Sequence, residues 1–493
     1  MRSYLNNSRF VLLLIPVLAF SMQLLFGVHN PGVSPDSIEY MASAVSLSEN
    51  GGLYTSFLWN EELVPQIHFP PGLPFVLYIF QGLCSWDILF AAGLLNAFLL
   101  ALSIGLLGII VSVYRSGTWA IAVQLLMLTA LPYYRIYMMV WSEPLFITEM
   151  LLYVLLFIRY FRTRSASVII LAGALAGCMY ATRYIGVAFV IAGTVTVFFQ
   201  NGLRNRFAWK DTFIFGFFSA LIPAAWLLRN RMVTSMVSDR GFSYHPMGKE
   251  HLAGTLADFQ QFFFQIRIGN TISFAIGALI ILILLMLFVR QIRKRDGANG
   301  IGWIVGPALA AYAGLLIISN TFFDFTPIYF RITTPFMLMV LLWLIGTDFE
   351  IQLKNRRLKI VGVVCITIYA IFHVSTFLSF RMNDPQPGDY FIKALKDSEL
   401  INVTANLNSE VKPFTNEPDR YYFATSARIN HGRFMGEMIT SKAPDTLYVC
   451  LFNDGRDYRG PDSTYILPAG INNYEREVIF SNQEGELIRI VKE

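Results

Sequence analysis

Two acidic residues stand where a carboxylate could do chemistry. Asp36 follows Ser34 and Pro35, a helix start in which Ser34 suits the N-cap and Pro35 the first turn. In the helix that follows, Asp36, Glu39 and Tyr40 share one face by i, i+3, i+4 spacing. Glu143 has the equivalent place in Trp141-Ser142-Glu143-Pro144, with Ser142 able to cap the next helix. A carboxylate so placed can take a proton from a hydroxyl or an amine. The plainer alternative is that each acid complements the dipole of its helix. For Glu143 the setting argues against that alternative, because an ionisable group at the edge of an apolar span is costly unless it pairs or works.

The cations form a second set. Arg183 lies in Thr182-Arg183-Tyr184-Ile185-Gly186 between two apolar segments, and Arg331 in Tyr329-Phe330-Arg331 opens another. A guanidinium fork at membrane level suits a phosphate group; a snorkelling anchor is the alternative. His68 begins His68-Phe69-Pro70-Pro71-Gly72, where two prolines and a glycine fix a bend ahead of the short apolar stretch Leu73–Leu83. Its imidazole could contact a phosphate or be an ordinary surface group. The stretch itself is too short to cross comfortably and reads as juxtamembrane or re-entrant. Arg229, Arg231, Arg240, Lys249 and Arg267 surround a further loop and would add to an anion site. Three of the four cysteines fall in apolar stretches and Cys450 stands alone, so neither a disulfide framework nor a Cys-rich metal site is implied.

The elements that must position these groups are apolar helices. The chain has 493 residues, 55% hydrophobic and 14% charged, with mean hydropathy +0.51, where a soluble domain carries roughly 25% charged residues. A soluble enzyme, a disordered chain and a small disulfide scaffold are excluded, and the net charge of +5 is read by its position along the chain and not as nucleic-acid affinity. With roughly 20 apolar residues needed per span, segments near 10–28, 87–113, 118–131, 144–158, 167–180, 186–199, 213–228, 272–289, 301–319, 332–345 and 360–380 give about eleven transmembrane helices.

Every second connection is basic: Arg2 and Arg9; Arg115; Arg159, Arg162 and Arg164; Arg204, Arg206 and Lys210; Arg290 to Arg295; Lys354 to Lys359. These are expected on the cytoplasmic side with the amino terminus. The segment 29–86 has no Lys or Arg and is expected outside, as is the tail. The predicted division is a membrane domain, 1–380, with its outer loop 29–86, followed by a small extracytoplasmic α/β domain, 381–493. In that tail Asp389–Lys396 is expected helical, and Thr446–Phe452, Thr464–Leu467 and Glu477–Phe480 are expected strands. Ile38, Met41, Ala42 and Val45 form an apolar stripe expected to lie on the membrane surface.

The order Pro-Asp-Ser-Ile-Glu-Tyr, His-Phe-Pro-Pro-Gly, Ser-Glu-Pro-Leu-Phe, Thr-Arg-Tyr-Ile-Gly and Tyr-Phe-Arg resembles polytopic C-superfamily (GT-C) glycosyltransferases. Within them it looks most like the branch of protein O-mannosyltransferases and lipid A aminoarabinose transferases. The tail from Val411-Lys412-Pro413-Phe414-Thr415-Asn416-Glu417-Pro418 to Ala427-Arg428 is similar to the soluble outer domain of many members. The resemblance implies transfer of a sugar from a polyprenyl-phosphate donor to a lipid, glycan or protein acceptor at the outer face of the cell membrane, a bacterial inner membrane. It makes Asp36 the catalytic base position and Glu143 the second acidic position. Arg183, Arg331 and His68 are then expected to contact the donor phosphate, and Glu39, Tyr40 and Tyr133 to bind the acceptor or sugar. Asp36-Ser37 stands where some members have Asp-Glu, and His68-Phe69 where some have Lys before Pro-Pro.

Such chemistry needs one carboxylate and one or two cations, since a polyprenyl phosphate is already a good leaving group; in-line attack would invert the anomeric centre. No cofactor is required. A divalent cation, Mg or Mn, on Asp36, Glu143 and the donor phosphate is compatible with oxygen ligands. The partners are the lipid bilayer, the donor and the acceptor, with no nucleic acid. The rival reading is a transporter or flippase of a lipid-linked saccharide, which predicts interrupted helices with midplane charges, whereas here the charges gather at the outer edge. A non-catalytic assembly protein is a third alternative.

Overall fold

A computed structural model describes residues 2–59, 61–201, 206–238, 242–244, 246, 248–265, 270–294, 301–323, 330–346, 356–383, 396–407, 412–431, 445–453 and 474–492. In chain order the elements begin α1 (Arg2–Phe26), α2 (Pro35–Asn50), β1 (Tyr54–Trp59), β2 (Glu62–Pro65), α3 (Gly72–Cys84), α4 (Ile88–Tyr114), α5 (Gly117–Thr129) and α6 (Leu131–Met138). They continue with α7 (Glu143–Thr163), α8 (Ala166–Thr182), a 3-10 turn (Tyr184–Gly186), α9 (Val187–Asn201), α10 (Arg206–Thr234), α11 (Lys249–Phe264) and α12 (Asn270–Lys294). Next come α13 (Gly302–Phe322), α14 (Phe330–Gly346) and α15 (Arg356–Asn383). The last are α16 (Glu399–Ala405), β3 (Phe414–Thr415), α17 (Pro418–Thr425), β4 (Asn430–His431), β5 (Thr446–Phe452), β6 (Tyr474–Ser481) and β7 (Gly485–Lys492). They fall into two compact units, one comprising residues 1–31, 67–73 and 90–385, the other 32–66, 74–89 and 386–493.

The first unit is helical. Each of the eleven apolar segments read from the sequence is helical over most of its length, and several helices run well beyond the apolar stretch, α1 back to Arg2, α7 on to Thr163, α10 over Arg206–Thr234 and α12 on to Lys294. Four helices, Ile88–Tyr114, Glu143–Thr163, Trp209–Thr234 and Gly302–Phe322, are long and apolar enough to cross a membrane. The pair α5 and α6 passes the same test together but bends by 61°, where Pro132 in the first turn of α6 has no N–H to continue the α5 ladder. Other apolar helices are shorter, among them Ala166–Thr182 and Phe330–Gly346. On α10, Phe213, Phe217, Leu221 and Leu228 remain exposed, as a lipid-facing stripe requires. The opposite face of α10 lies against α8, whose Gly173 and Gly177 recur at i, i+4. A Cβ on Gly173 would sit 2.7 Å from the Phe215 carbonyl, and one on Gly177 3.0 Å from that of Ser219. Small residues at this spacing let two helix backbones approach.

Among the described residues the second unit contains a seven-stranded sheet in the order β2-β1-β4-β3-β5-β7-β6. β1, β4, β3 and β5 run parallel, while β2, β7 and β6 are added antiparallel. Leu400 and Ile401 of α16 and Tyr421 of α17 pack with Cys450, Phe452 and Leu487 from the strands. Burial pushes the Cys450 thiol up to about 12, so it is an inert core group. The expected strands Thr446–Phe452 and Glu477–Phe480 are present; Thr464–Leu467 and all but the last residue of Asp389–Lys396 lie outside the described residues. The sequence reading attached 29–86 to the membrane domain; in the structure β1 of that segment hydrogen-bonds into the sheet of the tail, pairing Leu58 with Asn430.

Helix α2 also differs from expectation. In place of one apolar stripe, it buries Ile38, Met41, Ala42 and Ala44 together with Ser37, Glu39, Tyr40, Ser43 and Ser46. Its short Ala and Ser side chains let neighbouring protein close around it, so the stripe is covered by protein.

Candidate functional site

The first unit gathers three of the singled-out residues around one carboxylate. Glu143 opens α7 and is wholly buried. Its Oε1 accepts hydrogen bonds from Arg183 Nη1 and from Arg331 Nε. Arg183 is held at the end of α8 and Arg331 in the first turn of α14. Side-chain exposure is 18% for Arg183 against 9% for Arg331, so Arg183 is the more accessible cation. Two guanidinium groups thus converge on one carboxylate oxygen. Glu143 Oε2 is buried with no hydrogen-bond partner among the described residues.

Ser142 does not cap α7 with its side chain; its hydroxyl accepts from Arg183 Nη1 at 3.1 Å. Arg183 outcompetes the cap because a charged donor makes the stronger hydrogen bond. Trp141, which the sequence reading noted only as a neighbour, places its ring 4.4 Å from the Arg331 guanidinium, a cation–π contact that fixes the side chain. The bend at His68 packs in the same unit: a Cβ on Gly72 would lie 2.8 Å from the Ala181 carbonyl and from Thr182 Oγ1. Only glycine fits there, directly before Arg183. Tyr184 ties down the same turn, its hydroxyl donating to the Ile67 carbonyl at 3.0 Å. His68 itself is exposed and its ring meets that of Phe69 edge-on at 4.7 Å.

Asp36 lies in the second unit, in the first turn of α2, half-buried. The cap of α2 is formed without it: Ser37 N donates to Ser34 Oγ at 3.4 Å, and Ser34 N donates back to Ser37 Oγ at 3.1 Å. This reciprocal pair is a capping box.

The residues expected to bind acceptor or sugar are placed differently from one another. Tyr133 is fully buried, its hydroxyl donating to Ser103 Oγ at 2.8 Å and lying 3.1 Å from that of Tyr137. Tyr40 is 3% exposed. Glu39 is buried and accepts from Ser56 Oγ at 2.5 Å, from Ser56 N at 3.2 Å and from Gln66 Nε2 at 3.1 Å. Ser56 Oγ is also 2.7 Å from Asp419 Oδ1. None of Ser56, Gln66 and Asp419 was singled out in the sequence; 363 residues separate Ser56 from Asp419, and no spacing rule reaches that far.

Among the described residues no group of three or more His, Cys, Asp or Glu is placed to hold a metal ion. The donor set around Glu143, with two arginines on one oxygen, favours an anion over a divalent cation.

No family model matches the chain, and no curated protein matches it in sequence. Solved structures do match. ArnT from Cupriavidus metallidurans, in a structure bound to undecaprenyl phosphate, is 12% identical with a TM-score of 0.55, covering 99% of this chain and 98% of its own. The Archaeoglobus fulgidus oligosaccharyltransferase in its apo form is 12% identical with a TM-score of 0.55, over 87% of this chain and 65% of that one. The same enzyme in complex with Zn and sulfate gives 11% and 0.52, over 89% of this chain and 67% of that one. The chain thus has the fold of the GT-C membrane glycosyltransferases, with apolar helices and a small C-terminal sheet domain. At these identities it is the fold that is shared, as the sequence resemblance implied.

Proposed function

We propose that this protein is a membrane glycosyltransferase that moves a sugar from a polyprenyl-phosphate donor to a lipid, glycan or protein hydroxyl or amine at the outer face of the membrane. The observation that carries the reading is the buried Glu143 holding Arg183 and Arg331 together on one carboxylate oxygen, within a fold shared with ArnT, whose structure is bound to undecaprenyl phosphate. Glu143 orients both guanidinium groups before substrate arrives, so little reorganisation is needed when charge develops on the departing phosphate. Asp36 takes the proton from the acceptor as its oxygen or nitrogen bonds to the anomeric carbon. The bond from that carbon to the phosphate oxygen breaks, its electron pair leaves with the polyprenyl phosphate, and the configuration inverts. The filled cap of α2 supports a chemical role for Asp36, because the helix does not need its side chain as a cap. In this reading the amino terminus is cytoplasmic and the sheet domain extracytoplasmic, which the alternation of basic connections supports.

The test is to incubate the purified protein with a panel of polyprenyl-phosphate sugars and measure release of free polyprenyl phosphate. Asp36→Asn keeps shape and hydrogen bonding but cannot accept the proton, so turnover should fall about 10²- to 10⁴-fold while donor binding persists. Near wild-type transfer by that variant would remove Asp36 from the role of base.

A further inference from the structure

The second unit contains a carboxyl pair with no place in the proposed reaction. Glu39 on α2 and Asp419 in the first turn of α17 face each other across Ser56 of β1. Ser56 Oγ lies 2.5 Å from Glu39 Oε1 and 2.7 Å from Asp419 Oδ1. A serine hydroxyl has one hydrogen to give. It cannot donate to two carboxylates, so at one of these contacts the oxygen of serine must accept, and the carboxyl must bring the proton. Glu39 already receives the Ser56 N–H and the Gln66 amide, as an ionised carboxylate does. The side-chain contacts of Asp419 are with Ser56 and with Glu39 itself, not with a backbone or amide donor among the described residues. The proton therefore belongs on Asp419, and the chain of donors runs from Asp419 through Ser56 to Glu39.

We propose that Asp419 is a neutral acid at physiological pH, and that its single proton clamps α2, the helix carrying Asp36, to α17 through Ser56. Burial and then the Glu39 charge raise the Asp419 carboxyl well above the ordinary aspartate range, with Glu417 adding in the same direction. The charged and titratable groups around the pair include Tyr40 and Glu49 on α2, Glu417, Arg420 and Tyr422 at α17, and Arg428 beyond it. Arg420 is directed to Glu417 at 3.8 Å and to the Phe452 ring. Arg428 donates to the Thr55 carbonyl at 2.8 Å and lies over Tyr422.

The direction of the pH effect follows. The folded value lies above that of an unfolded aspartate, about 3.9, so the folded form binds a proton that the unfolded form has released. The stabilisation is complete below the unfolded value and is lost as pH rises through the folded one.

The experiment follows thermal unfolding of the full-length protein in lipid nanodiscs between about pH 5 and 9, alongside the infrared band of a protonated carboxyl. In that window the wild-type midpoint should fall by about 2–4 °C per pH unit while the single proton is being lost. Asp419→Asn supplies an amide hydrogen to Ser56 without titrating, so it should fold, flatten this slope and lack one protonated-carboxyl band present in wild type. Glu39→Gln removes the charge that holds the proton and should move the fall to lower pH. A slope and a carboxyl band that survive in Asp419→Asn overturn the proposal. If that variant does not fold, a Glu39→Gln curve superimposable on wild type overturns it equally.

Discussion

Glu143 and Asp419 are both carboxyl groups withdrawn from water, and the two regions that hold them avoid the cost of a buried charge by opposite means. In the helical unit Glu143 is given two arginines and stays part of a charged cluster. In the sheet unit Asp419 is given a second acid and a serine, which is consistent only if a proton is kept. The difference teaches what each place is suited for. A carboxylate between two guanidinium groups prepares cations for an incoming anion, whereas a shared proton joins two elements without offering charge to a ligand.

The largest expected effect that would break this comparison is at Glu143. Glu143→Ala leaves Arg183 and Arg331 buried near each other with no anion between them, and should destabilise the protein by about 3–5 kcal/mol, read as a lower thermal midpoint in detergent. An unchanged midpoint would mean that the arginines find other compensation, and that the cluster is not built around this acid.

Next in size are the arginines themselves. Arg183→Ala or Arg331→Ala should weaken donor binding by about 2–5 kcal/mol if the phosphate pair is desolvated, with Lys at either position restoring only part because the planar fork is lost. Titration of the folded variants with a polyprenyl phosphate measures this directly, and unaltered affinity would return both residues to the role of membrane anchors. The smallest effect sharpens the contrast from the other side. Ser34→Ala removes one half of the capping box of α2 and should cost about 1 kcal/mol in stability, with donor binding unchanged, because the cap serves the helix and not the arginine cluster. A loss of donor affinity in this variant would show that the two are not independent.

Much of the helical unit was legible in the sequence because a bilayer leaves few alternatives: an apolar run of the right length must satisfy its own backbone. The N-cap at Ser34 is an equally local signal. Arg183, Arg331 and Glu143 could each be singled out as charges in the wrong surroundings, but their convergence on one carboxylate oxygen depends on how α7, α8 and α14 pack, which no spacing encodes. Ser142 was misread as a cap since a serine before an acid and a proline has the composition of one; the competing donor came from another helix. The sheet was harder still. β3 and β4 have two residues each, too short for alternation to be visible, and the β1 strand that pairs with β4 lies in a segment that composition assigns to a loop.

The order of that sheet has a consequence for how the molecule behaves in company. Among the described residues it ends on β6, whose Val478 and Ile479 are exposed. An edge of this kind invites a strand from another molecule. Here it is interrupted twice: Glu475, Arg476 and Glu477 put charges along the strand, with Arg476 paired to Glu486 at 3.0 Å and Glu477 to Arg489 at 3.4 Å, and the register slips between Val478 and Phe480. A proteolytic fragment or a crowded neighbour offering a flat β-strand would find in β6 a charged and irregular template, poorly suited to extension into an aggregate.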